Sequence, residues 1–209
     1  MRLATRLACV KHRTNAALPA ARGRFFVARV FVLFASLTLP LSLTYAQRGK
    51  PTQYDIEAVY LYQFGRFVQW PDGPNVAQDA FPICVVGRDP FGRSLDSTIA
   101  GEKIGNVPLR AERIDDLNDV KHCRILYISA SEESNLDALL AKASSSSVLT
   151  VSDLPDFESH GGMIQFIVED NRVRFEINVA VAQKSGLKIS SQLLKVAAAV
   201  RGAPAGANQ

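Results

Sequence analysis

Ile83–Ser94 reads ICVVGRDPFGRS: an uncharged apolar run breaks at Gly87 into a charged turn and then resumes as the start of a helix. Apolar at every position, Phe81–Val86 predicts a strand buried on both faces, and strands of that kind belong to parallel sheets covered by helices. The same residues approach a phosphate-binding loop, G-x-x-x-x-G-K-[ST], with Arg93 where the lysine should stand. Three features argue against a nucleotide. Pro90 removes a backbone donor, Asp89 places negative charge where phosphate would lie, and Phe91 is bulky in a loop that must wrap closely. A guanidinium is also a poor replacement for a compact ammonium. The stretch is therefore read as strand, turn and helix start.

On either side the pattern repeats. A helix is predicted over Tyr54–Gln69, with Ile56, Val59, Tyr60, Phe64, Phe67 and Val68 at helical spacing and Trp70-Pro71-Asp72-Gly73 as the stop. Its aromatic face reads as core rather than as a ligand cage. A short helix follows near Phe91–Ile99, then Val107–Ile114, which alternates like a half-buried strand. Cys123 opens CRILYIS, a second apolar strand, and Ser131 is the expected N-cap of a helix carrying Leu136, Leu139 and Leu140 on one face. Val148–Val151 is a third buried strand. Met163–Val168 and Arg172–Ile177 flank Glu169-Asp170-Asn171 as a hairpin. The end reads as a helical stretch to Lys184 with Gly186 as its cap, then a helix over Ser191–Val200 capped by Ser190. Strands alternating with helices predict an α/β fold, a three-layer αβα sandwich whose mostly parallel sheet carries an added antiparallel hairpin.

The chain has 209 residues. Residues 1–46 carry seven basic residues and no acidic one, and end in the apolar run VFVLFASLTLPLSLTYA. This is the pattern of a secretory signal peptide with cleavage after Ala46. The alternative is an uncleaved membrane anchor, although the run is short for spanning and contains Pro40. Removal of this segment leaves 17 basic residues against 20 acidic ones, a net charge of about −3. The basic pI of 9.1 belongs to the leader, so it gives no argument for nucleic-acid binding. Residues 47–209 are expected to form one domain, ordered over about 53–201. No cysteine directly follows the apolar run, where Gln47 stands, which speaks against a lipid anchor. Of three cysteines, Cys9 leaves with the leader. Cys84 and Cys123 remain, and export favours their pairing as a disulfide; two buried free thiols are the alternative.

Catalytic signatures are weak. His160-Gly161-Gly162 resembles an esterase oxyanion loop, yet no G-x-S-x-G elbow exists to supply a nucleophile. His122 and His160 sit at no metal-ligand spacing. No enzyme activity, cofactor or metal is expected, and binding is favoured over catalysis.

AVYLYQFGRFVQWP at 58–71, ICVVGRDPFG at 83–92, CRILYIS at 123–129, LTVSD at 149–153, GGMIQF at 161–166 and VRFEINVAVAQKSGLKISSQLLKVA at 173–197 together resemble the YfiR family of periplasmic regulators. The resemblance implies a non-enzymatic periplasmic protein that binds and represses an inner-membrane diguanylate cyclase or similar sensor, lowering cyclic di-GMP and biofilm formation. It also implies a capacity to form homodimers and to be captured by an outer-membrane lipoprotein. The family's strand cysteine falls on Cys84 and its partner on Cys123. A second cysteine pair, known in the family's repressor, has no counterpart in Pro155–Phe166. The partner-facing surface maps to Ile164 and Glu176, with Ala182 as a third position. Glu176 lies between Phe175 and Ile177 and so points to the opposite face of its strand. A rival reading is a small-ligand receptor using the crevice at the C-terminal ends of the parallel strands, near Gly87, Ser129 and Asp153.

Overall fold

The computed structural model describes residues 50–71 and 79–202; the leader, its cleavage point, Cys9, Asp72 and Gly73 lie outside them. Helix α1 spans Gln53–Phe67 and begins at a capping box in which Thr52 and Asp55 satisfy each other's backbone N–H groups. It ends two residues earlier than its apolar spacing predicts, because Val68–Gln69 leave as strand β1. That strand pairs antiparallel with β9, Lys188–Ile189, and Ser190 N–H caps the helix end by donating to the Phe67 carbonyl at 2.9 Å.

The buried stripe of α1 is also rotated from the predicted one. It consists of Glu57, Ala58, Leu61, Phe64 and Gly65, whereas Val59 is exposed. Small residues decide this: a Cβ at Gly65 would collide with the Ile104 side chain, so this side of the helix approaches the sheet region most closely. Tyr60 and Phe64 pack against Phe166 and Phe175 with ring centroids 5.1–6.0 Å apart, edge-to-face on Phe175.

Among the described residues one sheet has eight strands, in the order Ala199–Arg201, Arg172–Asn178, Ile164–Glu169, Leu149–Ser152, Ile125–Ile128, Phe81–Val86, Val107–Ile114 and Lys103–Ile104. Strand β2, Phe81–Val86, is buried at every residue and lies between β4, Val107–Ile114, and β5, Ile125–Ile128, parallel to both. Helix α2, Arg93–Ile99, follows the opening turn, and the two-residue strand β3, Lys103–Ile104, pairs antiparallel with β4. Strand β6, Leu149–Ser152, continues the parallel set. Strand β7, Ile164–Glu169, is parallel to β6 and antiparallel to β8, Arg172–Asn178. The hairpin turns on Asp170 and Asn171, both at positive φ (49° and 59°), as a two-residue turn of the primed type requires. Short helices α4, Val179–Lys184, and α5, Ser191–Val196, follow. Gly186, at φ +80°, terminates α4, and Leu187 N–H donates to the Ala182 carbonyl at 2.9 Å.

Two further sequence expectations need correction. Ser131 does not cap helix α3, Leu136–Ser144: a 3-10 turn over Ala130–Asn135 intervenes, capped by Ser129, and the Ser131 hydroxyl accepts instead from Arg88 N–H at 2.8 Å. The last helix stops at Val196, and Ala199–Arg201 form strand β10, parallel to β8. The VAAAV run was compatible with a helix by propensity, but pairing with the free edge of β8 satisfies its backbone better.

The two faces carry separate cores. Ile83, Val85, Ile125, Tyr127, Ile164, Phe166, Phe175 and Ile177 pack with α1, α2, α4 and α5. Cys84, Val86, Leu126 and Ile128 pack with α3. The sandwich is thus three layers deep, with the Cys84–Cys123 disulfide inside the α3 layer, Cα atoms 5.8 Å apart.

Candidate functional site

The turn after β2 is closed by its own side chains. Asp89 Oδ1 accepts from Phe91 N–H at 2.8 Å and Oδ2 from Arg113 Nε at 2.9 Å. Arg113, on β4, also donates to the Gly92 carbonyl and to both oxygens of Asp96. Phe91 is buried against Tyr127. The donors and the acid that a phosphate loop would direct at an anion are committed to one another.

The crevice at the strand ends is filled in the same way. A Cβ at Gly87 would strike Ser131 and Glu132. Ser129 caps the 3-10 turn, and Asp153 Oδ2 accepts from Tyr54 Oη at 3.2 Å. A cavity of about 230 Å³ opens to one side, lined by Glu133, Asp137, Leu154, Pro155 and His160 among others. Among the described residues no group of three or more His, Cys, Asp or Glu side chains is placed to hold a metal ion.

The hairpin end differs from the rest of the sheet. Its inner side chains, Ile164, Phe166, Phe175 and Ile177, face α1. The opposite side presents Gln165, Ile167, Arg174 and Glu176, and β10 adds Ala199 and Arg201 in register beside Glu176 and Asn178. The buried hydrophobic residues of α1, α2, α4 and α5 join the other core, and α3 packs on β6. No helix among the described residues covers this side. The loop 154–162 covers its inner part, where Glu158 N–H donates to Gln165 Oε1 at 3.5 Å, Asn178 Nδ2 donates to the Glu158 carbonyl at 3.2 Å and Gln165 is buried, which leaves Ile167, Arg174 and Glu176 as the uncovered positions.

Charge on this face is organised around Arg201. It reaches Glu158 at 3.0 Å and Glu176 at 3.2 Å, and the Glu158 side chain is only 3% exposed. Glu158 Oε2 has no partner, and among the described residues Arg201 is the one cation in an ion pair with a buried carboxylate. Arg201→Ala is expected to cost about 1–2 kcal/mol, less than a fully buried pair because Arg201 is half exposed. A double-mutant cycle with Glu158→Gln, read by urea denaturation, should recover part of that loss; strict additivity would show that the pair contributes nothing.

The sequence-derived positions divide accordingly. Glu176 lies on the open face with its side chain 18% exposed. Ile164 and Ala182 have no exposed surface, so Ile164 cannot be the centre of a surface patch: it faces α1, paired with Ile177 and Val151. Arg201, Glu158, Arg174 and Ile167 were missed. Arg201 was hidden by reading its strand as the tail of a helix, and nothing in the local sequence marks Glu158 as buried.

A family model described as YfiR/HmsC-like matches residues 54–198. Among solved structures, a conserved domain protein from Vibrio cholerae is 13% identical with a TM-score of 0.43, the match covering 57% of this chain and 54% of that one. The ABC domain in complex with L-Trp from Streptococcus pneumonia is 11% identical with the same TM-score, covering 57% and 55%. The chain spans little more than half the length of either structure, and likeness at this level leaves function unaddressed.

Proposed function

The chain belongs to the YfiR/HmsC-like family, and from that membership we propose that it is a periplasmic regulator, freed from its leader at residues 1–46, that binds the periplasmic domain of an inner-membrane diguanylate cyclase and lowers its output. The observation that supports a contact role is the sheet face at the hairpin end, which has no helix over it among the described residues, whereas α3 packs over β2, β5 and β6. Ile167 supplies apolar surface there, half-buried in the free protein, and Arg174, Glu176 and Arg201 frame it with both signs of charge. An apolar centre with an arginine-rich polar rim is the composition of a specific interface. In this reading Glu176 orients the partner directly. Ile164 and Ala182 act from beneath by holding the hairpin and the following helix in place.

Membranes carrying the cognate cyclase should produce less cyclic di-GMP when the processed protein is added. Glu176→Lys combined with Ile167→Asp should weaken repression tenfold or more while the circular dichroism spectrum stays unchanged. Demonstrated binding with unchanged cyclase output would contradict repression. Loss of binding on dimerisation or on addition of an outer-membrane lipoprotein would show that those partners compete for the same face.

A further inference from the structure

Glu57, on the inward stripe of α1, has no exposed surface. Its Oε1 accepts from Gln53 Nε2 at 2.8 Å, and its Oε2 has no partner. Tyr127 Oη, from β5, and Asp153 Oδ1, one residue beyond β6, are likewise buried without partners. Tyr127 is close enough to both carboxyls for each to act on its ionisation, yet it forms no hydrogen bond of ordinary geometry with either. The groups facing Glu57 are thus Gln53 and Tyr54 from its own helix, Tyr127 from β5 and Asp153 from the end of β6. Phe91, ahead of α2, contributes only a ring against Tyr127 and Tyr54. Asp55 is engaged by Ser94 and by the Thr52 cap instead. No cation is in this set.

Two carboxyls meet without a positive charge, Glu57 wholly buried and Asp153 with its Oδ1 buried, which disfavours double ionisation. A neutral acid removes the conflict, because its hydroxyl can donate to an oxygen that otherwise stands empty. We propose that Glu57 keeps its proton and that this proton closes a pH-sensitive clasp joining α1 to the C-terminal ends of β5 and β6. Burial first, then the charge of Asp153, pushes the Glu57 carboxyl up to about 7, against the opposing pull of its hydrogen bond from Gln53. The folded protein therefore holds a proton that the unfolded chain has released above an ordinary glutamate value near 4.5. Stability falls as pH rises between those two values and levels off above the higher one. Asp153 immediately precedes the loop 154–162, so opening the clasp is transmitted to the border of the open sheet face.

The test is urea denaturation of the processed protein from pH 4.5 to 8.5, with Glu57→Gln and Asp153→Asn beside it. The unfolding constant of the wild type, relative to Glu57→Gln, should rise on the order of a hundredfold across that range. Asp153→Asn should move the transition to lower pH. Parallel pH profiles for wild type and Glu57→Gln would overturn the proposal. Carbon-13 titration of the Glu57 carboxyl in the wild-type protein tests it independently of how the variants fold: a midpoint near 7 supports the clasp, and one near 4.5 refutes it.

Discussion

Replacing Cys84 and Cys123 by alanine is expected to destabilise the processed protein by roughly 4 kcal/mol, the chain-entropy value for a closed loop of about 40 residues. The bridge spans a sequence separation of 39 and encloses the opening turn, α2, β3 and β4. One end lies on β2 and the other two residues ahead of β5, strands already in register, since Cys84 opposes Leu126, three residues beyond Cys123. The bond is therefore added to a pairing that the sheet makes anyway, and its contribution should come chiefly from restricting the unfolded chain. Both sulfurs lie within the apolar α3 layer beside Leu136, Leu139 and Leu140, so the loss should spread to α3, with faster hydrogen exchange over Leu136–Ser144. Denaturation with and without reductant measures the effect. A difference below about 1 kcal/mol would mean that the unfolded chain keeps β2 and β5 close without the bond.

Phe175→Ala should be nearly as costly, about 3–5 kcal/mol for a fully buried phenylalanine. Phe175 is 1% exposed and meets Tyr60 at 5.2 Å and Phe64 at 5.1 Å in edge-to-face geometry. These contacts bind β8 to α1, and Glu176 is the next residue. The substitution should thus weaken partner binding although Phe175 offers no surface to a partner. Val168→Ser, at the exposed end of the same hairpin, should change stability by less than about 0.5 kcal/mol. If both variants behaved alike, the aromatic contacts would not be what fixes the hairpin.

The contrast between these residues shows what the amino-acid sequence makes legible. Strand β2 could be read to the residue because a wholly apolar run bounded by turn residues has few other solutions, and Asp170-Asn171 is a turn by its chemistry. The orientation of α1 was less accessible. A helix rich in Ile, Val, Tyr and Phe is apolar around most of its circumference, so period alone does not choose the inward stripe. Ala58 and Gly65 choose it by allowing close approach, and they carry Glu57 inside with them. Spacing held a clue, since Glu57, Leu61, Phe64 and Val68 share one helical face, but an acid within an apolar stripe is ordinarily assigned to solvent. For the site, strand alternation placed Glu176 opposite Phe175 and Ile177, as found. Ile164 was placed on the partner surface by the family resemblance alone; in the fold it lies opposite Ile177 in the hairpin, on the buried face that Glu176 points away from.

The central claim is that regulation proceeds through the helix-free sheet face, and hydrogen exchange of the protein bound to the cyclase's periplasmic domain tests it most directly. Protection is predicted over β8, the outer part of β7 and Ala199–Arg201, with α3 and the exposed side of α1 unchanged. Protection confined to α1 or α3, with the hairpin end exchanging as in the free protein, would contradict it.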